Sequence, residues 1–439
     1  MKKISFFPIA VTGVLILGAV LAVMIFGGFL PGYKNKNKRG PAANLVMWGT
    51  LPQEKIWPVV SAINKENKDF FNIKYEEKNP ATYESETIEA LASGRGPDFW
   101  IVSQDMVLEN KERIYTVPFV NYPERSFLDN FIDGAEIYMD KSGGGITAVP
   151  FLVDPMILYW NKEMFSSAGI SQPPKNWDEF AQYSGIFTEK NEAGNVEVSG
   201  AALGEFTNVR NAKDIMSLLM LQAGEPIVKA DSRGNLRAAL DGGGKQVSPA
   251  EASVRFFNEF SNPSKNSYSW NKALPKSDAM FARGSLAMYF GFAGEAPGLR
   301  AKNPHLDFDI AEVPQLKDAR SKLDFGRIYG LAILKNSPKK QAAFSAIATM
   351  TSGANSKRFS QAAGLASPRR DVLAERSSDA YFSLINKAAV MTRAWIDPDA
   401  QATYLVFKDL AESAASGRAT VSEAVLTAKR KIDQLLKKP

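Results

Sequence analysis

ITAVPFLVDPMILYWNKEMFSSAGISQPPKNWDEF, Ile146 to Phe180, is the stretch whose reading decides the fold. It opens with an extended piece, Ile146 to Phe151, interrupted by Pro150, and a second apolar run follows from Met156 to Trp160. Proline lacks an N–H and biases the residue before it toward extended backbone, so neither run reads as a helix core. Asn161 to Phe165 predicts a short helical turn ending at Ala168-Gly169. Pro173-Pro174 stops the chain, and Trp177 starts a new helix. Asp154 stands between the two apolar runs, where a crossing between two lobes would place it. An aspartate before proline is either a turn former or an acceptor facing a cleft.

Upstream, Asn44 to Thr50 reads as a strand, Glu54 to Lys68 as a helix, and Phe71 to Glu76 as a second strand. Tyr83 to Ser93 is an amphipathic helix ended by Gly94, and Phe99 to Val102 is a third strand. This β-α-β-α-β order implies a parallel sheet with covering helices. Ligands in such sheets sit beyond the carboxyl ends of strands. Those ends are Trp48-Gly49-Thr50 and Ser103-Gln104-Asp105. Downstream, helices are expected over 211–223, 249–261, 339–350, 405–415 and 420–436, the last with Thr420 and Glu423 in capping-box register. Strands are expected over 308–314 and 331–334, and another where AMFARGSLAMYFGFAG (279–294) passes Gly284.

The 439 residues suffice for two cores. There is no cysteine, which excludes disulfides, thiolate metal sites, a cysteine nucleophile and a lipid-modified N-terminal cysteine. A single histidine, His305, argues against a Ser-His-Asp triad and a multi-histidine metal site. No cofactor or metal is expected. The formal charge is +6. Residues 1–43 hold Lys2, Lys3, Lys34, Lys36, Lys38 and Arg39 and no acid, so the remainder is formally neutral and carries no nucleic-acid footprint in its net charge. Gly242-Gly243-Gly244 runs into Lys245-Gln246, which breaks a Walker-type pattern.

Phe6 to Leu30 carries no charge. At ~1.5 Å per residue it can cross a hydrocarbon core of ~30 Å. It is longer than a signal-peptide core and no clear cleavage site follows, so it reads as an uncleaved anchor, with 31–43 a polar basic linker. The basic residues after the span would by themselves hold its C-terminal side in the cytoplasm.

Several segments, in this order, resemble the extracellular solute-binding proteins of sugar ABC transporters, the maltose-binding-like group. They are ALASGRGPDFWIVSQD (90–105), AVPFLVDPMILYWNKEMF (148–165) with PPKNWDEF (173–180), MFARGSLAMYF (280–290), FDIAEVPQ (308–315), GLAILKNSPKKQAAFSAI (330–347) and SGRATVSEAV (416–425). The resemblance implies a two-lobed α/β fold of the periplasmic-binding-protein type (type II), each lobe a mixed sheet with flanking helices, closing on a ligand by a hinge. It places the first lobe at 44–152 plus 312–351 and the second at 153–311 plus 352–439. It implies crossings near Val153-Asp154, at Ala311 to Val313 and after Met350. It also implies an extracytoplasmic globular part, against the charge rule, with the peptide anchor standing in for the usual lipid.

Carried over residue by residue, the resemblance implies ligand contacts at Trp48, Gly49, Thr50, Gln104, Asp105, Asp154, Phe292, Arg327, Tyr329, Trp395 and Tyr404. Where the family usually has tryptophan, this chain has Phe292. The implied function is capture of a saccharide for ABC permease subunits, with no chemistry performed. Two other readings stand beside it: a glycan hydrolase using Asp105 and Asp154 as a carboxylate pair ~5–9.5 Å apart, and a receptor-like sensing module on the same fold. Four of these candidates also have an ordinary structural use: Trp48 as core, Asp105 and Asp154 as surface or turn acids, and Arg327 as half of a surface ion pair.

Overall fold

The computed structural model describes residues 42–231, 234–242 and 248–437. The expected anchor, most of the linker and Gly243-Gly244 lie outside the described residues. Among the described residues no helix is long and apolar enough to cross a membrane.

The two apolar runs form one strand. Val149–Asn161 runs unbroken through both prolines, and only Trp160 in it is more than marginally exposed. It belongs to a ten-stranded sheet. Its first half pairs antiparallel with Asp324–Ile333, and its second half with Leu286–Phe292 on one side and Phe308–Ala311 on the other. Each proline sits where the ladder spares it. Pro150 lies beside a register shift opposite Tyr329/Gly330, and Pro155 lies where the strand passes from one partner to the next. A strand buried on both faces needs the continuous apolar sequence seen here.

On the amino-terminal side the sheet order is Phe71–Glu77, Ala43–Gly49, Phe99–Ser103, then Asp324–Ile333. The first three are parallel, as the β-α-β-α-β pattern requires, and Asp324–Ile333 joins antiparallel. Beyond the long strand come Leu286–Phe292, Val196–Ala201 and Glu189–Lys190. The result is two α/β lobes whose sheets share one strand. Expected boundaries shift in two places. The stretch FGRIYG is strand rather than a lead-in, because Asp324 to Ile333 pairs on both edges. The helix expected from 405 begins at Ala400, because Asp399 caps it through the Ala402 N–H at 2.8 Å. Other helix starts follow sequence signals. Asn161 caps Lys162–Ser167, Asn176 caps Trp177–Ile186, and Thr420 and Glu423 form the expected reciprocal box.

Asp154 is the one charged residue of the long strand and is 6 % exposed. Its Oδ1 accepts the Gly294 N–H at 2.8 Å, and Arg327 faces it across the ladder. A Cβ at Gly294 would lie 3.0 Å from Asp154 Oδ2, so glycine permits this approach. Burial dominates, and Glu295 adds to it. The Gly294 bond and Arg327 oppose it, and the Asp154 pKa stands at about 7.

Between the ordinary aspartate value of ~3.9 and about 7, folded Asp154 holds a proton that the unfolded chain releases. Its contribution to stability is full at acid pH and lost as pH rises through about 7. Asp154→Asn keeps an oxygen for Gly294 but cannot ionise. Measured by urea unfolding, the variant should gain on the parent by on the order of 1–3 kcal/mol between about pH 5 and about pH 8. A difference independent of pH would refute the assignment. At Gly330 a Cβ would meet Ala148 Cβ at 2.8 Å and the Tyr138 ring at 3.0 Å. Gly330→Ala should therefore cost about 1–3 kcal/mol with an unchanged m-value, and an unmoved urea midpoint would show that this packing is loose.

Candidate functional site

A cavity of about 650 Å³ opens beyond the carboxyl end of Phe99–Ser103. One wall carries Glu84, Gln104, Asp105 and Glu109, together with Phe325 and Arg327. The facing wall carries residues 207–214, Lys276 and Asp278, and then Trp395, Asp397, Asp399, Ala400, Gln401 and Tyr404. Contributions come from segments far apart in sequence because the sheet order brings Phe99–Ser103 beside Asp324–Ile333.

Helix Ala212–Gln222 begins at this wall. Asn211 adopts left-handed backbone, φ 55°, a conformation that asparagine tolerates. Its side chain does not cap the helix; its Nδ2 donates to Glu295 Oε1 at 2.9 Å. The first turn presents Lys213 and Asp214 to the cavity. Arg327 Nη2 donates to Asp214 Oδ2 at 3.4 Å, and its guanidinium lies 3.8 Å from the centre of the Phe292 ring. The Lys213 ammonium pairs with the Asp397 carboxylate and donates to Thr403 Oγ1 at 2.7 Å. Burial raises the carboxyls of Asp214 and Asp397, while Arg327 and Lys213 respectively pull them back. Arg210 donates to Asp278 Oδ2 at 2.9 Å.

Two aromatic side chains complete the lining from the second wall. Trp395 stacks on Phe407 with centroids 6.0 Å apart and 18° between planes, and its Nε1 donates to Ser217 Oγ at 3.1 Å. Tyr404 meets Phe206 edge-on at 5.0 Å and remains 37 % exposed. Charged pairs that hold one another in place, with aromatic faces beside them, suit a ligand with many hydroxyls and apolar C–H faces.

Of the expected residues, Gln104, Asp105, Arg327, Trp395 and Tyr404 come together around this cavity. Trp48, Gly49, Thr50, Asp154, Phe292 and Tyr329 are not in its lining. Trp48 and Gly49 end a strand separated from Asp324–Ile333 by Phe99–Ser103, so the neighbouring strand end fronts the cavity. Trp48 is buried; its Nε1 donates to Glu76 Oε2 at 2.9 Å, and the Lys78 ammonium lies 3.8 Å from its ring. A Cβ at Gly49 would lie 2.6 Å from Ile101 Cδ1, a packing constraint. Thr50 is half-buried beyond the strand end. Phe292 is fully buried beneath Arg327, and Tyr329 pairs in register with Leu152. Asp105 lines the cavity and Asp154 does not.

Sequence reading missed Glu84, Glu109, Arg210, Lys213, Asp214, Lys276, Asp278, Asp397 and Asp399. Two signals pointed to some of them: the Lys213-Asp214 pair opening an otherwise apolar helix, and Asp397-Pro398-Asp399 immediately before another helix.

Residues 59–384 match the bacterial extracellular solute-binding protein family. Among curated relatives, an sn-glycerol-3-phosphate-binding periplasmic protein of Salmonella typhimurium is 36% identical over 67 residues, 15% of each chain. A diacetylchitobiose-binding protein of Streptomyces coelicolor is 25% identical over 163 residues, 37% of this chain and 35% of that one. The chain thus matches only about a third or less of these relatives' length. Among solved structures, a cyclic alpha-maltosyl-1,6-maltose binding protein of Arthrobacter globiformis superposes with TM-score 0.74 at 16% identity, over 91% of this chain and 100% of that one. A cyclo/maltodextrin-binding protein complexed with maltotetraose gives 0.72 at 14%, over 92% and 99%. These similarities establish the two-lobed fold. With the family match spanning most of its length, this chain belongs to the bacterial extracellular solute-binding proteins.

Proposed function

We propose that this protein captures a saccharide in the cavity between its lobes and delivers it to the permease of an ABC importer, without altering it. The observation that carries the reading is the lining itself. Mutually paired charges, the Gln104 amide and the Trp395 and Tyr404 rings face one another across a cavity of about 650 Å³ in a chain of this family. Structural neighbours that hold maltotetraose and bind maltosyl-maltose support the saccharide class. Hydroxyl groups of a sugar donate to Asp105 and the paired carboxylates, Gln104 and Arg327 donate to its oxygens, and its C–H faces lie on the rings.

In this reading the lobes are 44–152 with 312–351 and 153–311 with 352–439, of which Gly353–Ala363 packs back on Gln53–Glu66 of the first lobe. They pivot about the shared strand near Val153-Asp154. Phe292 supports the lining residue Arg327 from behind, and Asp154 acts at the hinge. Residues 6–30 serve as a membrane anchor, and the globular part is extracytoplasmic.

A thermal unfolding screen of the chain against oligosaccharides, neutral and amine-bearing, tests the assignment. Ligand at about 100 times its Kd adds about 2.7 kcal/mol of stability. At least one oligosaccharide should raise the midpoint, and failure of every one would remove the saccharide reading. Tyr404→Ala removes one exposed ring, and calorimetry should show affinity about tenfold lower with little change in the midpoint without ligand. Unchanged affinity would take Tyr404 out of the site.

A further inference from the structure

The cavity walls carry seven carboxylates, Glu84, Asp105, Glu109, Asp214, Asp278, Asp397 and Asp399, against four cations, Arg210, Lys213, Lys276 and Arg327. Three of those cations are already engaged: Arg327 with Asp214, Lys213 with Asp397, and Arg210 with Asp278. Glu84, Asp105, Glu109 and Asp399 remain without a cation within ion-pair distance among the described residues. They come from both walls: Glu84 from helix Tyr83–Ala92, Asp105 and Glu109 from the segment after Phe99–Ser103, and Asp399 from the start of Ala400–Ala415.

Their neutral partners are local. Asn110 Nδ2 donates to Glu84 Oε1 at 2.7 Å, Ser103 donates to Asp105, and Asp399 accepts from the Ala402 N–H. Gln104, 8 % exposed, uses its Oε1 to accept the Ile328 N–H at 2.9 Å, while its Nε2 has no protein partner among the described residues and the residue lines the cavity. The Glu109 carboxyl is raised by burial first and then by Glu84, Asp399 and Asp105, with Arg113 opposing. The helix terminus in the far wall, which would attract an anion, already carries Asp214.

We infer that the solute is a saccharide bearing a protonated amine, seated at the Glu84–Asp105–Glu109–Asp399 end of the cavity. This rests on the saccharide reading above and narrows it. An ammonium brings three donors and a positive charge to carboxylates that have no cation within ion-pair distance among the described residues, and Gln104 Nε2 can donate to a neighbouring sugar oxygen. A phosphorylated solute would bring its charge to the wrong partners. Among the described residues no group of acids is arranged to hold a metal ion in the amine's place.

Titration calorimetry of the full chain with two matched pairs tests this at low salt and near-neutral pH. One pair is the β-linked glucosamine trisaccharide against cellotriose; the other is kanamycin against maltotriose. In at least one pair the amine should bind at least about tenfold tighter, with an advantage that shrinks as salt rises. Glu109→Gln and Asp399→Asn, each checked for an unchanged thermal midpoint, should cut that ratio several-fold. Neutral and amino sugars binding equally in both pairs would overturn the amine assignment and leave the saccharide reading standing. An amine preference untouched by both substitutions would overturn the seat. Binding of no sugar, amino or neutral, would overturn both readings.

Discussion

One strand held in common sets the architecture. Val149–Asn161 gives its first half to the ladder of one lobe and its second half to the other. The lobes therefore cannot separate without breaking a buried hydrogen-bonded element, and the pairing changes partners midway along it. Pro155 marks that change because it has no N–H to offer either ladder. Beside it, Asp154 reaches the Gly294 N–H, tying the strand to the turn that follows Leu286–Phe292. A buried acid there is expensive to ionise, and only Arg327 and one N–H offset its desolvation.

Arg327 connects this part of the strand to the cavity. It sits opposite Asp154, lies on the Phe292 ring and donates to Asp214 in the far wall. The charged groups of the cavity are thus held before a ligand arrives, which reduces the ordering cost of binding. Rigid pairs are also electrically spent. What remains to set the charge of a ligand is the set of acids without cations, and these project from both walls.

Much of the chain was legible because its signals are local. The β-α-β-α-β order, the Asn176 and Thr420 caps and the cavity-facing strand end at Gln104-Asp105 follow from periodicity, capping chemistry and the geometry of parallel sheets. The long strand was misread as two runs because proline is judged from its own missing N–H, whereas its cost vanishes where the ladder has a bulge or a change of partner. Trp48 and Gly49 were expected at the site by analogy of strand ends, but the intervening Phe99–Ser103 takes that place. Lys213, Asp214, Asp397 and Asp399 were passed over because a charge near a helix start has an ordinary local use, and nothing local says which wall it faces.

By itself, the sequence determined the apolar core segments, the parallel unit at the amino end, the helix starts and the absence of cysteine chemistry. Each depends on residue type and near neighbours along the chain. Only the tertiary structure decided that Asp154 is buried behind the cavity rather than in its lining. Only it paired Arg327 with Asp214 and Lys213 with Asp397, and left four acids from two walls without a cation at ion-pair distance among the described residues. The physical reason is that charge balance and desolvation depend on neighbours in space, and in this fold those neighbours lie more than a hundred residues apart.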